Sequence, residues 1–534
     1  MICCVKSGAT DADSRPMRVE RKEGITMPRA QGQATTAGPS PWRLAGYCLL
    51  IAAGCLLICS KSSPLYPLND WSDANIYFTM GKGMAHGRVL YRDLYDHKGP
   101  LLYALHALCY LISPRSFLGV WLLEIVCLAG FLAGTFSLLR LYGARRTAWA
   151  ALPLLAALIT SSLSFQQGDS AEELCLPLLS TAYLTLIRFL QNPGGKPDVR
   201  RLAGVGLLCG CVLWIKFTML GLFPVWIAVV FARHASRRQW KAAWLSLLWF
   251  GLGIAAASLP WLIYFGLNGA VKDWLRAYLY DNLFLYSGVE GGLPGRVRAI
   301  AGSGWAWFAG NPAYSLPLIL GLAFCALRRN SDPWGKAAAW LCTGLTALGV
   351  FAGGKSYEYY GLILAAFGGL GMTPFCLWAE GRLIGARRVP VLSCLACAAS
   401  IGLCAAFSPN VGTSFLKPRE SLMQYQLAAA MEEGPDVTLL NYGFMDAGFY
   451  TATGIVPRVK YFHQANVPLQ EMLDEQRRYI EDGLCAYVIT RGKQPAGMDR
   501  NYERVAAADS PEGFWYDHVY LYRLRTEPAV PQPE

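Results

Sequence analysis

The chain has 534 residues, of which 54% are hydrophobic and only 16% are charged. Soluble domains carry about 25% charged residues, so this composition excludes an ordinary soluble protein. The formal net charge is +12, but most lysines and arginines lie in short segments between apolar blocks. Such basic loops meet anionic membrane lipid, and we expect no nucleic-acid partner.

Residues 1–42 are polar and basic, which predicts a disordered cytoplasmic tail. The apolar segment 43–60 follows directly. It is long for the apolar core of a signal peptide and lacks a persuasive small-residue cleavage site, so it predicts a retained first transmembrane helix.

Apolar length and loop charge predict a polytopic α-helical membrane protein with about eleven transmembrane helices. The predicted spans are 43–60, 117–139, 148–164, 172–190, 202–215, 218–232, 243–266, 311–327, 337–353, 361–379 and 389–407. Basic residues follow every second span. The positive-inside rule then predicts a multi-pass protein of the cell membrane, with a cytoplasmic N-terminus and an extracytoplasmic segment after residue 408.

Residues 100–112 are apolar but too few to cross a membrane comfortably. We interpret them as a juxtamembrane or re-entrant helix on the outer side. If they crossed, the loop with Arg140, Arg145 and Arg146 would lie outside, and every later basic loop would be inverted. The long outer segments are then 61–116, which we call the first outer loop, the aromatic segment 267–310, and 409–534.

The last of these segments, 409–534, has the composition of a soluble domain, in contrast to the apolar bundle predicted for 43–408. A charged-faced helix is predicted at Leu469–Ile480. Strands are predicted at Val437–Leu440, Ala486–Thr490 and Val519–Leu524. Strands alternating with helices predict a small α/β extracytoplasmic domain packed over the outer face.

The first outer loop concentrates acids, bases and tyrosines beside the membrane. Its sequence contains Asp73-x-x-x-Tyr77, then Gly87-x-x-x-Tyr91-Arg92-Asp93, then Asp96-His97-Lys98-Gly99-Pro100-Leu-Leu-Tyr103. This pattern resembles the first outer loop of GT-C glycosyltransferases. It is most similar to the family 39 type, which includes protein O-mannosyltransferases and the aminoarabinose transferase of lipid A.

The resemblance implies a GT-C bundle with its catalytic residues in the first outer loop. It also implies transfer of a sugar from a polyprenyl-phosphate donor to a glycan, lipid or protein acceptor outside the cytoplasm. No nucleotide-binding motif stands out, which fits a donor carried on lipid. We expect no cofactor and assign no metal ligands; an Asp-rich loop is compatible with a divalent cation, but the resemblance does not require one.

Asp73 matches the acid that these families use as general base, because the acceptor hydroxyl must lose a proton as it attacks the anomeric carbon. Many relatives have a second acid directly after it, where this chain has Ala74. Asp70 is the fallback base. The alternative for Asp73 is a solvated or helix-capping carboxylate.

Lys98 matches the lysine that precedes the Pro-Leu-Leu helix in relatives. A fixed cation there would stabilise the lipid phosphate that leaves, and Asp96 and His97 would orient Lys98 or the acceptor. The alternative for Lys98 is an interfacial anchor that binds lipid headgroups. Tyr77 and Arg92 are further candidate substrate-binding residues of this loop.

Other candidates lie near the predicted outer ends of spans. They are Glu172 and Glu173, near Asp169; Lys216; and the group Lys355, Glu358 and Tyr359. Glu124 lies about two turns inside the second span. Charges at such depth usually face a polar cavity. Helix capping, snorkelling and aromatic-belt positions are the respective alternatives.

Two other classes of protein compete with the enzyme. A transporter or flippase of lipid-linked saccharides would hold its polar residues near the bilayer midplane, whereas here they cluster at one face. A non-catalytic scaffold is disfavoured by the dense charges of residues 70–98. The Cys394-x-x-Cys397 pair lies within an apolar span without a second pair, so it predicts neither a metal nor a redox site.

Overall fold

The computed structural model describes residues 39–191, 198–286, 292–328, 332–382, 388–432, 434–492, 494–495, 497–510 and 518–526. The predicted disordered tail, 1–42, lies outside the described residues except for its last four. The first helix begins at Pro41.

The described part of the chain is mainly helical up to residue 407. Its α-helices are α1 (Pro41–Cys59), α2 (Ser72–Ala85), α3 (Pro100–Ile112), α4 (Leu118–Tyr142), α5 (Thr147–Thr160), α6 (Ala171–Gln191), α7 (Val199–Lys216), α8 (Leu222–Ala235), α9 (Trp240–Leu267), α10 (Val271–Leu275), α11 (Gly292–Gly310), α12 (Pro312–Leu327), α13 (Pro333–Phe351), α14 (Gly368–Arg382) and α15 (Val389–Phe407). A π-helix, Arg276–Tyr286, continues α10. A ten-residue 3₁₀-helix, Glu358–Phe367, leads into α14.

Ten of the eleven predicted spans overlap one α-helix each, and the span 361–379 covers parts of the 3₁₀-helix and of α14. Within the described residues, seven helical segments are long and apolar enough to cross a membrane, and α11 with α12 would make an eighth, although the two are bent by 109°. The helices α5 and α8 are apolar but shorter, with 14 residues each. A membrane protein with several spans is therefore confirmed, and the count of eleven stays a prediction.

The helices pack by close approach of small residues. Gly206 of α7 and Gly253 of α9 face each other: a Cβ atom on Gly206 would lie 2.0 Å from the Phe250 carbonyl oxygen. Such contacts are typical of helix pairs in membranes, where backbones gain dispersion energy by approaching closely. The outward faces carry large exposed apolar side chains, such as Leu252 and Leu395, which suits contact with lipid.

The segment that follows α15, residues 409–534, contains a small four-stranded sheet. Its strands are β1 (Leu439–Tyr442), β2 (Tyr487–Arg491), β3 (Tyr502–Asp509) and β4 (His518–Leu524), in the order β1-β2-β4-β3. The pair β1–β2 is parallel, and the other two pairs are antiparallel. Helices α16 (Met423–Ala428), α17 (Phe449–Thr453), α18 (Gln470–Glu481) and α19 (Met498–Asn501) accompany it.

These elements agree with the predicted α/β character. Three predicted strands and the predicted helix lie within two residues of β1, β2, β4 and α18. The strand β3 was not predicted. The described residues from 42 onwards form one unit by their contacts, so the proposed division after residue 408 stays a prediction.

The segment from β1 onwards is joined to α2 by buried polar contacts. The Lys82 ammonium donates to the carbonyl oxygens of Tyr450 and Ile455, at 2.6 and 3.2 Å. The Thr79 hydroxyl donates to Asp446 at 2.8 Å. Because these groups are fully buried, the C-terminal segment is packed directly on the segment that carries Asp73.

Candidate active site

Asp73 lies in the first turn of α2, where the N-terminal end of a helix favours a carboxylate. The start of this helix is fixed by Asn69, whose side-chain oxygen accepts a hydrogen bond from the Trp71 amide at 3.1 Å. Asp73 is only 7% exposed. The hydroxyls of Tyr77 and Tyr359 both donate to its Oδ2 atom at 3.0 Å. No described residue donates a hydrogen bond to Oδ1, so that oxygen remains free to accept a proton.

Lys98 lies in a turn, residues 95–99, that is held from several sides. Its backbone amide donates to the Tyr103 hydroxyl at 2.9 Å, and its carbonyl accepts from the Tyr91 hydroxyl at 2.6 Å. The Asn282 amide, from the π-helix, donates to the His97 carbonyl at 2.6 Å. These bonds fix the backbone of the turn and therefore the position from which the Lys98 side chain extends.

Gly99 brings this turn against the end of α7. Its amide donates to the Ile215 carbonyl at 3.0 Å, and a Cβ atom would lie 2.0 Å from the Trp214 carbonyl oxygen. Only glycine fits so close to another backbone. Pro100 follows at the first position of α3, which suits a helix start. The Gly-Pro pair therefore sets Lys98 near Lys216.

Lys216 and Glu172 form a buried ion pair between α7 and α6. The Lys216 ammonium also lies 3.8 Å from the centroid of the Tyr360 ring and 5.2 Å from that of Tyr359. Such cation–π contacts stabilise a desolvated ammonium. Lys216 interacts electrostatically with Asp73 and Lys98 as well, so both lysines belong to the same cluster as the candidate base.

Tyrosines form one wall of this cluster. The hydroxyls of Tyr286 and Tyr360 are 2.8 Å apart, and the Tyr286 ring lies against His97 with centroids 5.1 Å apart. Lys98 lies 5.9 Å from the centroid of the Tyr77 ring. The wall joins the π-helix, the 3₁₀-helix and α2 around Asp73.

The charges of the 95–99 turn stabilise one another. Burial opposes the ionisation of Lys98, but Asp73 and Asp96 outweigh it and raise the pKa of this lysine above its usual range. Burial likewise opposes the ionisation of Asp96, but His97 and Lys98 outweigh it and hold the pKa of this carboxyl below its usual range. The Tyr103 hydroxyl donates to Asp96 at 2.6 Å. The turn therefore presents a charged lysine at neutral pH.

Glu173 belongs to a second, neighbouring cluster. Its Oε2 atom accepts from the Asp169 amide at 3.1 Å, and Glu124 accepts from the same amide at 2.9 Å and from Ser60 at 2.8 Å. His106 lies 2.9 Å from Asp169. These groups are fully buried or nearly so, and their bonds hold the loop that precedes Glu172.

Four further predicted site residues have no described contact with Asp73 or with the two lysines. They are Asp70, Arg92, Glu358 and Lys355. Asp70 is paired with Lys61 at 2.7 Å. Arg92 is exposed and bonded to Asp93 and to the Asn268 carbonyl. Glu358 is exposed and accepts from Gln166 at 3.0 Å.

Lys355, the fourth, lies 5.4 Å from the Tyr286 ring centroid. It therefore borders the tyrosine wall, whereas its sequence neighbour Tyr359 is part of the cluster. The structure thus brings together Asp73, Tyr77, Asp96, His97, Lys98, Glu172, Lys216 and Tyr359. Within the described ranges, no three His, Cys, Asp or Glu side chains form a group suited to a metal ion.

Tyr286, Tyr360 and Asn282 are not among the site residues predicted from the sequence. Tyr286 and Asn282 lie in the π-helix, and their aromatic and amide character in a predicted interfacial segment was the only signal. Tyr360 follows Tyr359 directly, so the repeated tyrosine was visible, but its contact with Lys216 depends on how the 3₁₀-helix packs against α6.

Comparison with solved structures identifies the fold. ArnT from Cupriavidus metallidurans in the apo state matches with a TM-score of 0.54 and 12% sequence identity, over 90% of this chain and 98% of that chain. The same protein bound to undecaprenyl phosphate matches with a TM-score of 0.51 and 12% identity, over 89% and 98%. The oligosaccharyltransferase AglB from Archaeoglobus fulgidus, in complex with an inhibitory peptide and a dolichol-phosphate, matches with a TM-score of 0.44 and 10% identity, over 84% and 69%.

The similarity to ArnT shows that this chain shares the fold of that protein, in agreement with the fold that the resemblance of the first outer loop implied. At 12% identity it establishes the fold alone. No protein-family model matches the sequence, and no curated protein is found to be similar to it. The function must therefore be argued from the residues of the site.

Proposed function

We propose that this protein is a membrane glycosyltransferase that transfers a sugar from a polyprenyl-phosphate donor to an acceptor hydroxyl of a cell-surface glycan, lipid or protein. The observation that carries this proposal is the cluster of one buried carboxylate, Asp73, with two buried lysines, Lys98 and Lys216. A GT-C fold like that of ArnT, which is known bound to undecaprenyl phosphate, supports it.

In the proposed reaction, the acceptor oxygen attacks the anomeric carbon and its proton passes to the free Oδ1 of Asp73. The bond between the anomeric carbon and the phosphate oxygen breaks, and its electron pair stays on the phosphate. The products are a new glycoside and the polyprenyl phosphate. Attack from the face opposite the phosphate makes the transfer inverting.

The two lysines suit the leaving group in this reaction. A sugar-linked phosphodiester carries one negative charge, and the released phosphate gains a second as the bond breaks. Fixed ammonium groups in a site of low dielectric constant stabilise that developing charge strongly. Glu172 holds the Lys216 ammonium in place by an ion pair, and the Tyr359 and Tyr360 rings cover one side of it.

The bonds to Asp73 suit a general base. Both tyrosines donate to Oδ2, which fixes the carboxylate plane and leaves its second oxygen for the acceptor. Asp70 is the weaker candidate for the base, because Lys61 donates to both of its oxygens.

The experiment is transfer of labelled sugar by the purified full-length protein from a panel of undecaprenyl-phosphate-linked sugars to cell-envelope acceptors. We expect transfer with at least one donor, and a loss of at least a hundredfold in Asp73→Asn, since general base catalysis contributes about 10²–10⁴-fold. Asp70→Asn should retain most of the activity.

Asp436→Asn is the matched control, because Asp436 is 89% exposed and forms an ion pair with Arg458, far from the cluster around Asp73 in the contacts described. It should transfer sugar at the rate of the unmodified protein. Full activity in Asp73→Asn would remove Asp73 as the base. Absence of transfer from every polyprenyl-phosphate sugar, by protein that remains folded, would remove the proposed function.

A further inference from the structure

His463 is a buried histidine from the C-terminal segment that lies beside the candidate active site. It is 1% exposed, and neither of its ring nitrogens has a well-formed hydrogen bond with another described residue. It interacts electrostatically with the side chains of Asp96, Asp446 and His97. A buried imidazole without partners costs about 1–3 kcal/mol, so its place in this polar region calls for a function.

The backbone around His463 is held rigidly between the two parts of the chain. The Tyr95 amide donates to the Lys460 carbonyl at 2.9 Å, and the Asn441 amide of β1 donates to the Phe462 carbonyl at 3.0 Å. The rings of Tyr461 and Tyr95 lie 5.3 Å apart. The segment 460–464 is therefore joined to the 95–99 turn at Tyr95, and His463 interacts electrostatically with Asp96 of that turn.

His97, which lies in the 95–99 turn, also has a buried ring nitrogen without a hydrogen-bond partner among the described residues. Its Nε2 atom lies 3.3 Å from the Lys98 ammonium, but its buried Nδ1 atom has no hydrogen-bond partner among the residues described, although Asp96 is 3.2 Å away. Nδ1 of His97 thus faces Asp96, and both ring nitrogens of His463, which interacts electrostatically with the same carboxylate, are without a hydrogen-bond partner among the described residues. Buried polar atoms are nearly always satisfied in functional structures.

The chemistry around these nitrogens selects the group that would bind them. Asp96 and Asp446 are both buried and interact electrostatically with His463, which disfavours an anion such as the lipid phosphate. Burial lowers the pKa of His463, against the opposing effect of these two carboxyls, so the ring is neutral at pH 7 with one donor and one acceptor nitrogen. No three metal-ligating side chains of the described part are grouped for a cation. A hydroxyl group, which both donates and accepts, fits.

We propose that His463, together with His97 and Asp96, forms a subsite that hydrogen-bonds a hydroxyl group of a sugar, so that the C-terminal segment supplies part of the substrate-binding site. This inference rests on the proposed transfer of a sugar. The hydroxyl belongs either to the sugar of the donor or to the acceptor, and kinetics distinguish the two.

The test compares the full-length protein with His463→Phe, which keeps an aromatic ring beside Phe462, and with His463→Gln, which restores hydrogen bonding. We expect His463→Phe to transfer sugar at least tenfold more slowly and His463→Gln to recover part of that loss. Both should bind undecaprenyl phosphate, measured by native mass spectrometry, within twofold of the unmodified protein. A raised KM for the donor assigns the hydroxyl to the donor sugar, and a raised KM for the acceptor assigns it to the acceptor.

His518→Phe is the control, because His518 is an exposed histidine of the same segment, paired with Asp509. It should behave as the unmodified protein. Unchanged transfer in His463→Phe overturns the inference. Equal losses of transfer and of undecaprenyl-phosphate binding overturn it too, because they would mean that His463 only supports the fold.

A second measurement does not depend on transfer. The chain has six histidines, and histidine-selective ¹⁵N labelling makes the His463 signal assignable through the His463→Gln variant. Methyl hexopyranosides should shift this signal and leave that of His518 unchanged. No shift with any of them overturns the subsite, whereas a shift in a protein that transfers no sugar would support the subsite and reject the proposed function.

Discussion

Lys216 and Glu172 are each almost inaccessible to solvent. The stability of the folded protein therefore depends on both charges of this ion pair being present. Removing one partner of a buried ion pair leaves an uncompensated charge and typically costs about 3–5 kcal/mol. The Oε2 atom of Glu172 has no hydrogen-bond partner among the described residues, so the pair depends on one contact. Lys216 retains its ring contacts if Glu172 is changed, but these are weaker than the ion pair.

We therefore expect Glu172→Gln to lower the free energy of unfolding by about 3 kcal/mol. The double variant Glu172→Gln with Lys216→Met should lose less, because no buried charge is left unpaired. Thermal unfolding in one detergent, followed by loss of the monodisperse peak, measures the order of the three proteins. A double variant that unfolds below the single one would contradict this account of the pair.

At the scale of elements, the site depends on how closely the start of α3 approaches the end of α7. The approach is set by Gly99, because any Cβ atom would meet the Trp214 carbonyl. Lys98 precedes this glycine directly, so a shift of the backbone there moves the ammonium relative to Lys216 and Asp73. Displacements of about 1 Å in a catalytic group cost about a hundredfold in rate.

Gly99→Ala should therefore reduce sugar transfer by at least tenfold while the protein remains inserted and monodisperse. Gly204→Ala is the matched control, since Gly204 of α7 has no atom within 4 Å of a Cβ position. The comparison uses initial rates at equal protein amounts. Equal rates for Gly99→Ala and Gly204→Ala would show that the close approach does not position Lys98.

Local pattern was enough to predict most elements. The Gly-Pro pair and the apolar run that follows predicted a helix at 100–112, and α3 has these bounds. The strand β3 was missed because Val505 is its only β-branched residue among charges and alanines, and its pairing with β4 decides its conformation. The π-helix was expected only as an interfacial helix, since its irregular hydrogen bonding leaves no mark on apolar periodicity.

The candidate site could be predicted only in part, because a local sequence pattern does not show which distant residues come into contact. Asp73, Tyr77 and Lys98 lie within one loop, so a single motif contained them. Glu172 and Lys216 were identified from charge at predicted helix ends. Their pairing, like the position of His463, depends on contacts between distant parts of the chain that no local pattern records.

At the scale of the whole molecule, the C-terminal segment and α2 are held together by the buried Lys82. Burial lowers the pKa of this ammonium to about 7, with Asp446 opposing the shift and Arg115 adding to it. In the unfolded chain a lysine has a pKa of about 10.4. Between these values the unfolded chain binds more protons than the folded protein, so the free energy of unfolding rises with pH.

Between about pH 7 and pH 10, Lys82 should raise the free energy of unfolding by at most about 1.4 kcal/mol per pH unit. Below about pH 7, Lys82 should make no contribution to the pH dependence. Thermal unfolding at pH 7 and pH 9 measures it. Lys82→Met should remove the rise, whereas Lys417→Met, at an exposed lysine, should keep it. The same pH dependence in all three proteins would show that Lys82 is not the group responsible.

The predicted orientation places the C-terminal segment outside the cytoplasm. An alkaline phosphatase reporter fused after residue 409 should then be active, because the enzyme folds only where its disulfides form. A fusion after Arg238, in a predicted cytoplasmic loop, should be inactive. The opposite result for the two fusions would invert the orientation.

The contacts of Lys82 and His463 also concern the order in which the protein is made. Helix α15 ends at Phe407, and β1 and the 460–464 segment come only after it. A ribosome therefore releases the C-terminal partners of α2 last, when every apolar helix has already been synthesised. A nascent chain or a truncated product therefore holds Asp73 and Lys98 before the C-terminal partners of Thr79 and Lys82 exist, so the buried contacts of α2 can be completed only after the whole bundle has been made.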